Sequence, residues 1–250
     1  MKKITLAALV ATCGFMGSGL AQNANNSGEK EVPAFVREFQ NLSEKKKKEF
    51  GKHFFEAQKL FNQKRVFECL DALADAKAIF AKHPGVLNLY GACYVEFRDF
   101  KKAAASFQQA DKVSPNNQNV KFNLAEIAFV TKKYQESLDI FKEILAKNEQ
   151  QDSSMVALME FKMLLCQIKL GQVDKARAKV KKLSFKEDSP LYYYANAALD
   201  YYDDKATEAE EWLARARRVF GNGAALAPWQ DTLIEFGYVK SFYGGDLEGS

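Results

Sequence analysis

Apolar residues recur along this chain at spacings of three and four, and short polar stretches interrupt the pattern. Such spacing places apolar side chains on one face of a helix. Runs rich in Val, Ile and Thr, which would favour strands, are missing. The pattern is clearest in LNLYGACYVEFRDFKKAAASF, residues 87–107, which predicts two amphipathic helices joined by a turn at Arg98-Asp99-Phe100.

The pattern repeats. Small residues at Ala57, Gly91 and Ala125 are separated by two intervals of 34 residues. A glycine or alanine there lets a neighbouring helix approach closely. The segment resembles the tetratricopeptide repeat, a helix-turn-helix unit of 34 residues with the pattern W-x2-L-G-x2-Y, A-x3-F and P. Five positions match this pattern directly: Gly91, Tyr94, Ala103, Phe107 and Pro115.

The resemblance implies an all-α superhelix, or solenoid, of about five tetratricopeptide-like repeats with a C-terminal capping helix. Residues 43–220 hold the repeats, and the fourth unit begins five residues late, after a polar stretch. The register of the fifth unit stays open by a couple of residues, because Asp200 would otherwise fall at a core position. The expected repeat bounds are 50–83, 84–117, 118–151, 157–189 and 190–220. The residues expected to pack the repeats together are Ala57, Gly91, Tyr94, Ala103, Phe107, Ala125, Phe141, Gly171 and Ala176.

The two ends of the chain differ from the repeats. Residues 1–21 have a positive start, an apolar run and small residues before Gln22, which predicts a secretory signal peptide. The protein is therefore expected to be exported, in the periplasm or beyond, in a bacterial cell envelope. Residues 22–42 predict a flexible segment with a short apolar stretch. Residues 221–250 predict the capping helix and a loose tail.

Charge and cysteine usage exclude several classes of function. The formal net charge is +4, and it falls to +2 without Lys2 and Lys3, so nucleic acid is not an expected partner. Cys69, Cys93 and Cys166 are explained as small packed thiols. Cys93 and Cys166 would lie two stacking steps apart, too far for a disulfide. A Cys69–Cys93 bridge between adjacent helices is conceivable, but we do not expect it from the sequence.

Catalytic and metal-binding patterns are missing from the sequence. His53 and His83 lie in different units, and neither neighbourhood supplies a nucleophile and an orienting group. No Cys or His cluster has metal-ligand spacing. We therefore expect no enzyme activity, no metal and no cofactor.

The resemblance also places positions 5, 9 and 12 of each first helix on a concave groove that faces the ligand. These positions are largely apolar and aromatic, and exposed apolar surface of this kind marks binding sites. The predicted partner is a protein or peptide segment, an apolar helix or extended chain whose side chains act as anchors. The predicted groove residues are Phe54, Phe61, Asn88, Phe122, Glu126, Phe129, Phe161, Leu165, Tyr194 and Tyr201.

Several alternatives remain open on the sequence. Some of the aromatic residues would be core, and residues 33–39 could fold back and fill the groove. The same face could bind glycan or form an envelope enzyme site, or a homo-oligomer could bury it. A basic run at Lys175–Lys182 is explained as a solvated face, with contact to a membrane surface as the less favoured alternative.

Overall fold

The computed structural model describes residues 32–115, 117–147, 153–186, 189–221 and 223–240. Within these ranges the chain forms twelve α-helices and no strand, which confirms the predicted all-α repeat fold of the solenoid class. None of these helices is both long and apolar enough to cross a membrane. The helices are α1 (Ala34–Gln40), α2 (Glu44–Asn62), α3 (Val66–Ile79), α4 (Pro84–Glu96), α5 (Phe100–Val113), α6 (Gln118–Val130), α7 (Tyr134–Lys147), α8 (Ser153–Lys169), α9 (Val173–Val180), α10 (Leu191–Tyr202), α11 (Ala206–Phe220) and α12 (Ala227–Phe236).

The described helices belong to two compact units, and the boundary between them lies within α6. The N-terminal unit ends at Asn123, and the C-terminal unit begins at Leu124. The predicted signal peptide, residues 1–21, lies outside the described residues. Residues 22–31 of the predicted flexible segment and residues 241–250 of the predicted tail also lie outside them.

Each of the five predicted repeats has a first helix that ends in the same left-handed turn. The second residue after the helix has a positive φ of 57–72° in all five cases. The N–H that follows it donates to the carbonyl five residues earlier at 2.8–2.9 Å, as from Asp99 to Tyr94 and from Lys205 to Asp200. This pairing satisfies a carbonyl that the end of the helix leaves without a partner. The left-handed residues are Lys64, Arg98, Lys132, Gly171 and Asp204.

This turn sets the register of the repeats. Counted from residues 50, 84, 118, 157 and 190, all five left-handed residues stand at position 15 of their unit. Asp204 therefore fixes the register of the fifth unit, which the sequence left open. Asp200 then falls next to the core, where its carboxylate accepts a hydrogen bond of 2.9 Å from the indole N–H of Trp212. That bond explains why an acid is tolerated there.

Small residues allow close contact between the helices of a repeat. Ala57 and Ala125 are fully buried. A β-carbon on Gly91 would lie only 2.4 Å from the ring of Phe107, so α4 and α5 need glycine at this point. Gly171 differs, because it is exposed in the turn and contributes through its φ of 72°. Tyr94 is half-buried, and the remaining packing residues are buried: Ala103, Phe107, Phe141 and Ala176.

The N-terminal segment adds a helix to the first repeat. Within α1, Phe39 packs against Phe50, Phe80 and His83, with ring centroids 5.1, 5.4 and 5.9 Å apart. The apolar stretch at residues 33–39 therefore folds back onto the first repeat, and these ring contacts are with residues outside the predicted groove positions.

Candidate functional site

The residues at positions 5, 9 and 12 of the first helices, here called the first-helix face, were predicted to line an open aromatic groove. Most of the predicted side chains are instead buried within their own unit, so the expectation of exposed aromatic side chains is wrong for them. Asn88, Glu126, Phe54 and Tyr201 are partly buried. Those exposed by 5% or less are Phe61, Phe122, Phe129, Phe161, Leu165 and Tyr194.

In the C-terminal unit, the chain's own helix α12 covers this face. The Trp229 ring lies 5.4 Å from Phe161 on α8 and 5.5 Å from Tyr194 on α10, measured between centroids. Gln230, on the same helix, is also buried. These contacts bury Phe161 and Tyr194, two of the aromatic residues that were predicted to line the groove.

The end of α12 makes a second set of contacts. Phe236 stacks on Phe129 with centroids 6.1 Å apart, and the ammonium of Lys169 lies 4.7 Å above the Phe236 ring. Just beyond the helix, Tyr238 stacks on Tyr201 at 5.3 Å. The helix predicted as a cap thus lies across the first helices α6, α8 and α10. Burial raises the pKa values of Tyr194, Tyr201 and Tyr238 above the ordinary tyrosine range.

The local sequence explains why α12 forms and which side it presents. Pro228 stands in the first turn, where a missing N–H costs nothing. Gly237 ends the helix with a φ of 89°, and the Tyr238 N–H donates to the Leu233 carbonyl at 3.0 Å. Trp229, Leu233 and Phe236 follow at spacings of four and three, so they share one face, and all three are buried.

One ion pair interrupts the apolar surface beneath α12. The ammonium of Lys162 lies 2.9 Å from Glu126 Oε2 and 4.8 Å from the centroid of the Phe129 ring. Lys162 is 5% exposed, so both partners are largely withdrawn from water. The second oxygen, Glu126 Oε1, is buried and accepts no hydrogen bond from the described residues. The carboxylate of Glu126 therefore keeps one buried oxygen that no described donor satisfies.

In the N-terminal unit, the first-helix face is more polar. The side-chain amide of Asn123 donates to Asn88 Oδ1 at 2.9 Å, which ties the second and third first helices together. Phe54 stacks on Phe50 at 5.8 Å and contacts the His83 ring at 5.2 Å. His83 is largely enclosed by these aromatic rings, and burial lowers its pKa to about 4. It is a neutral packing residue at neutral pH.

The described residues form no evident catalytic or metal centre. No group of three or more His, Cys, Asp or Glu side chains among them is arranged to hold a metal ion. His53 Nδ1 lies 3.4 Å from Asp75 Oδ2, but the Asp75 side chain is 65% exposed. In the basic run, Arg177 pairs with Asp203 at 2.5 Å and Lys179 pairs with Glu160 at 3.1 Å. Acidic neighbours thus neutralise part of this run, as expected of a solvated face.

Sequence reasoning missed the aromatic side chains that are in fact exposed. Phe67 is 74% exposed and Phe97 40% exposed, and their ring centroids lie 5.0 Å apart. Phe55 and Phe185 are also exposed. These residues stand outside the positions at which the repeat pattern demands an apolar residue, and that departure is the signal that could have identified them.

Comparison with known proteins agrees with this architecture. Residues 94–160 match the family model of the tetratricopeptide repeat. This segment of the chain is therefore identified as tetratricopeptide repeat sequence. No curated protein matches its sequence.

Two solved structures resemble this chain. YrrB, described as a TPR protein with an unusual peptide-binding site, is 16% identical with a TM-score of 0.52, and the match covers 74% of this chain and 92% of YrrB. The pilF protein of Pseudomonas aeruginosa is 13% identical with a TM-score of 0.43, and the match covers 77% of this chain and 100% of pilF. The likeness to YrrB shows a shared fold, and the likeness to pilF is too weak to carry an argument.

Proposed function

We propose that this protein is an exported, non-catalytic scaffold that binds a protein or peptide segment through the first-helix face of its C-terminal unit. The proposed setting is the assembly of complexes in a bacterial cell envelope. One observation carries the proposal: this face already holds an apolar helix of ten residues, α12, through aromatic anchors.

The contacts of α12 suggest what a partner would resemble. Helices that dock in grooves are recognised through apolar anchors three and four residues apart. Trp229, Leu233 and Phe236 have this spacing and are buried. A partner helix with a similar stripe would compete with α12 for Phe129, Phe161 and Tyr194. A donor on that helix would also satisfy Glu126 Oε1.

The test uses the full chain with α12 weakened. Changing Trp229 and Phe236 to Ala removes both aromatic anchors while the first-helix face stays intact. The probe is a labelled peptide of residues 226–240, and its binding is followed by fluorescence polarisation. We expect the double variant to bind this peptide at least tenfold more tightly than the wild-type chain does, because the wild-type face is occupied.

A matched peptide with the same two Ala substitutions serves as the control and should not bind. Failure of the folded double variant to bind the unmodified peptide would contradict the proposal. Unfolding of the variant, measured by circular dichroism, would also contradict it, because α12 would then be a permanent part of the core.

Export is proposed from residues 1–21 and has its own test. Intact mass of the protein recovered from the periplasm of a bacterial host should correspond to a chain beginning at Gln22. Recovery of the uncleaved chain in the cytosol alone would contradict it.

The two other functions considered, glycan binding and self-association, both relied on an exposed aromatic first-helix face. Phe122, Phe129 and Phe161 are buried, and no contact among the described residues favours a sugar or a second copy over a helix that resembles α12. We therefore do not take these functions forward.

A further inference from the structure

Two cysteines of the N-terminal unit lie side by side in its core. Cys69 on α3 and Cys93 on α4 have their sulfur atoms 3.4 Å apart. Both residues are fully buried and belong to the same apolar cluster. The helices that carry them pack against each other. This neighbourhood joins the second helix of the first repeat to the first helix of the next.

We propose that Cys69 and Cys93 form an intrachain disulfide that cross-links the first two repeats. A disulfide bond is about 2.05 Å long, so the two sulfur atoms would need to approach by a little over 1 Å. The bond would close a loop between residues 24 positions apart in the chain. This inference concerns the N-terminal unit and does not depend on the function proposed for the C-terminal unit.

The reaction requires an oxidant, and we assign that role to a disulfide-bearing compound such as oxidised glutathione or a thiol–disulfide oxidoreductase. A thiolate at one cysteine attacks the oxidant and releases one thiol. The second cysteine then attacks the mixed disulfide and releases the second thiol. In sum, two S–H bonds are lost and one S–S bond forms, and two electrons and two protons pass to the oxidant, which becomes two thiols.

Burial determines when this exchange takes place. The hydrogen bond with Cys69, together with desolvation, raises the pKa of the Cys93 thiol far above its ordinary value. A thiol that resists ionisation reacts slowly, since the thiolate is the nucleophile. The bridge is therefore expected to form during folding, before α3 and α4 close over the two sulfur atoms.

Cys166 provides an internal control. It is fully buried in the C-terminal unit, and burial raises its pKa to about 12. The two cysteines of the proposed bridge lie in the other unit. Cys166 should therefore remain a thiol under conditions that join Cys69 to Cys93.

The experiment refolds the reduced full chain from urea into a buffer of reduced and oxidised glutathione. After an acid quench, the protein is denatured, alkylated with N-ethylmaleimide, digested and mapped by mass spectrometry. We expect a peptide pair joined through Cys69 and Cys93, with Cys166 alkylated. The Cys166→Ala variant should keep the bridge, whereas Cys69→Ala should leave Cys93 open to alkylation.

Alkylation of both Cys69 and Cys93 in the refolded wild-type chain would overturn the proposal. So would stable mixed disulfides with glutathione at either position, or pairing of either cysteine with Cys13 or Cys166. None of these results depends on whether α12 exchanges with a partner.

Discussion

The ring of Phe107 occupies the space into which a side chain at residue 91 would project. A β-carbon on Gly91 would lie 2.4 Å from the ring, and Phe107 is 1% exposed and cannot move aside freely. The pair fixes how closely α4 and α5 approach, and it accounts for the glycine in the repeat pattern.

Gly91→Ala is expected to lower the free energy of unfolding by about 1–3 kcal/mol, because overpacking a filled core forces neighbours to shift. Gly51→Ala is the matched control, since a β-carbon there meets nothing within 4 Å. Replacing Gly51, in the interior of α2, with Ala should raise the free energy of unfolding by about 0.5–1 kcal/mol. Urea denaturation of both variants tests the prediction, and equal effects would contradict it.

Replacing Lys132 with Gly should stabilise the protein, by up to about 1 kcal/mol. Lys132 has a φ of 64°, a conformation that strains a residue with a β-carbon. The opposite change, Gly171→Ala at a φ of 72°, should destabilise by a similar amount. Melting curves of the two variants should therefore shift in opposite directions. Reversal of both shifts, with Lys132→Gly destabilising and Gly171→Ala stabilising, would show that the flexibility of glycine in the unfolded chain outweighs the strain.

Stability of the N-terminal unit should depend on pH through His83. Its pKa in the folded chain is about 4, against 6.5 in the unfolded chain. Between these values the unfolded state binds the extra proton, so stability falls as the pH falls from about 6.5 towards 4. Near pH 4.5 the loss should be about 2–3 kcal/mol.

The His83→Leu variant isolates this contribution. It removes the titrating ring while keeping an apolar side chain among Phe39, Phe50 and Phe54. Urea denaturation at pH 7.5 and pH 4.5 should show a smaller loss for the variant than for the wild-type chain. An identical loss in both would mean that other groups account for the pH dependence.

The buried ion pair of the C-terminal unit predicts unequal effects for its two members. Lys162→Met leaves the Glu126 carboxylate largely buried without a cation, and should destabilise by about 1–3 kcal/mol. Glu126→Gln retains a neutral acceptor for the Lys162 ammonium and should cost less. Chemical denaturation of the two single variants checks the order, and a larger loss for Glu126→Gln would reverse the argument.

Local periodicity made much of the fold predictable. The residues that define each repeat lie within 34 positions of one another, so Ala57, Gly91 and Ala125 could be aligned without a structure. Phe107 and Gly91 could each be identified as packing residues in this way, but their direct contact is given by the structure. The register of the fifth repeat could be assigned only from the backbone, because the left-handed conformation of Asp204 cannot be read from the sequence.

The candidate site was less predictable. Helical spacing shows that Phe161 belongs to an apolar face, but it does not show what covers that face. The cover is Trp229, which lies in a helix far along the chain and outside the repeat pattern. The proximity of Cys69 to Cys93 likewise depends on how neighbouring repeats stack, and spacing alone leaves their separation undetermined.

The order in which the chain is synthesised gives the position of α12 a further consequence. Phe161 leaves the ribosome 68 residues before Trp229, the difference between their numbers. At a translation rate of about 5–20 residues per second, Trp229 is synthesised roughly 3–14 s after Phe161. During that interval the aromatic rings on α8 are exposed on the nascent chain. A chaperone or export factor that binds exposed apolar surface would therefore contact these rings before α12 has been synthesised.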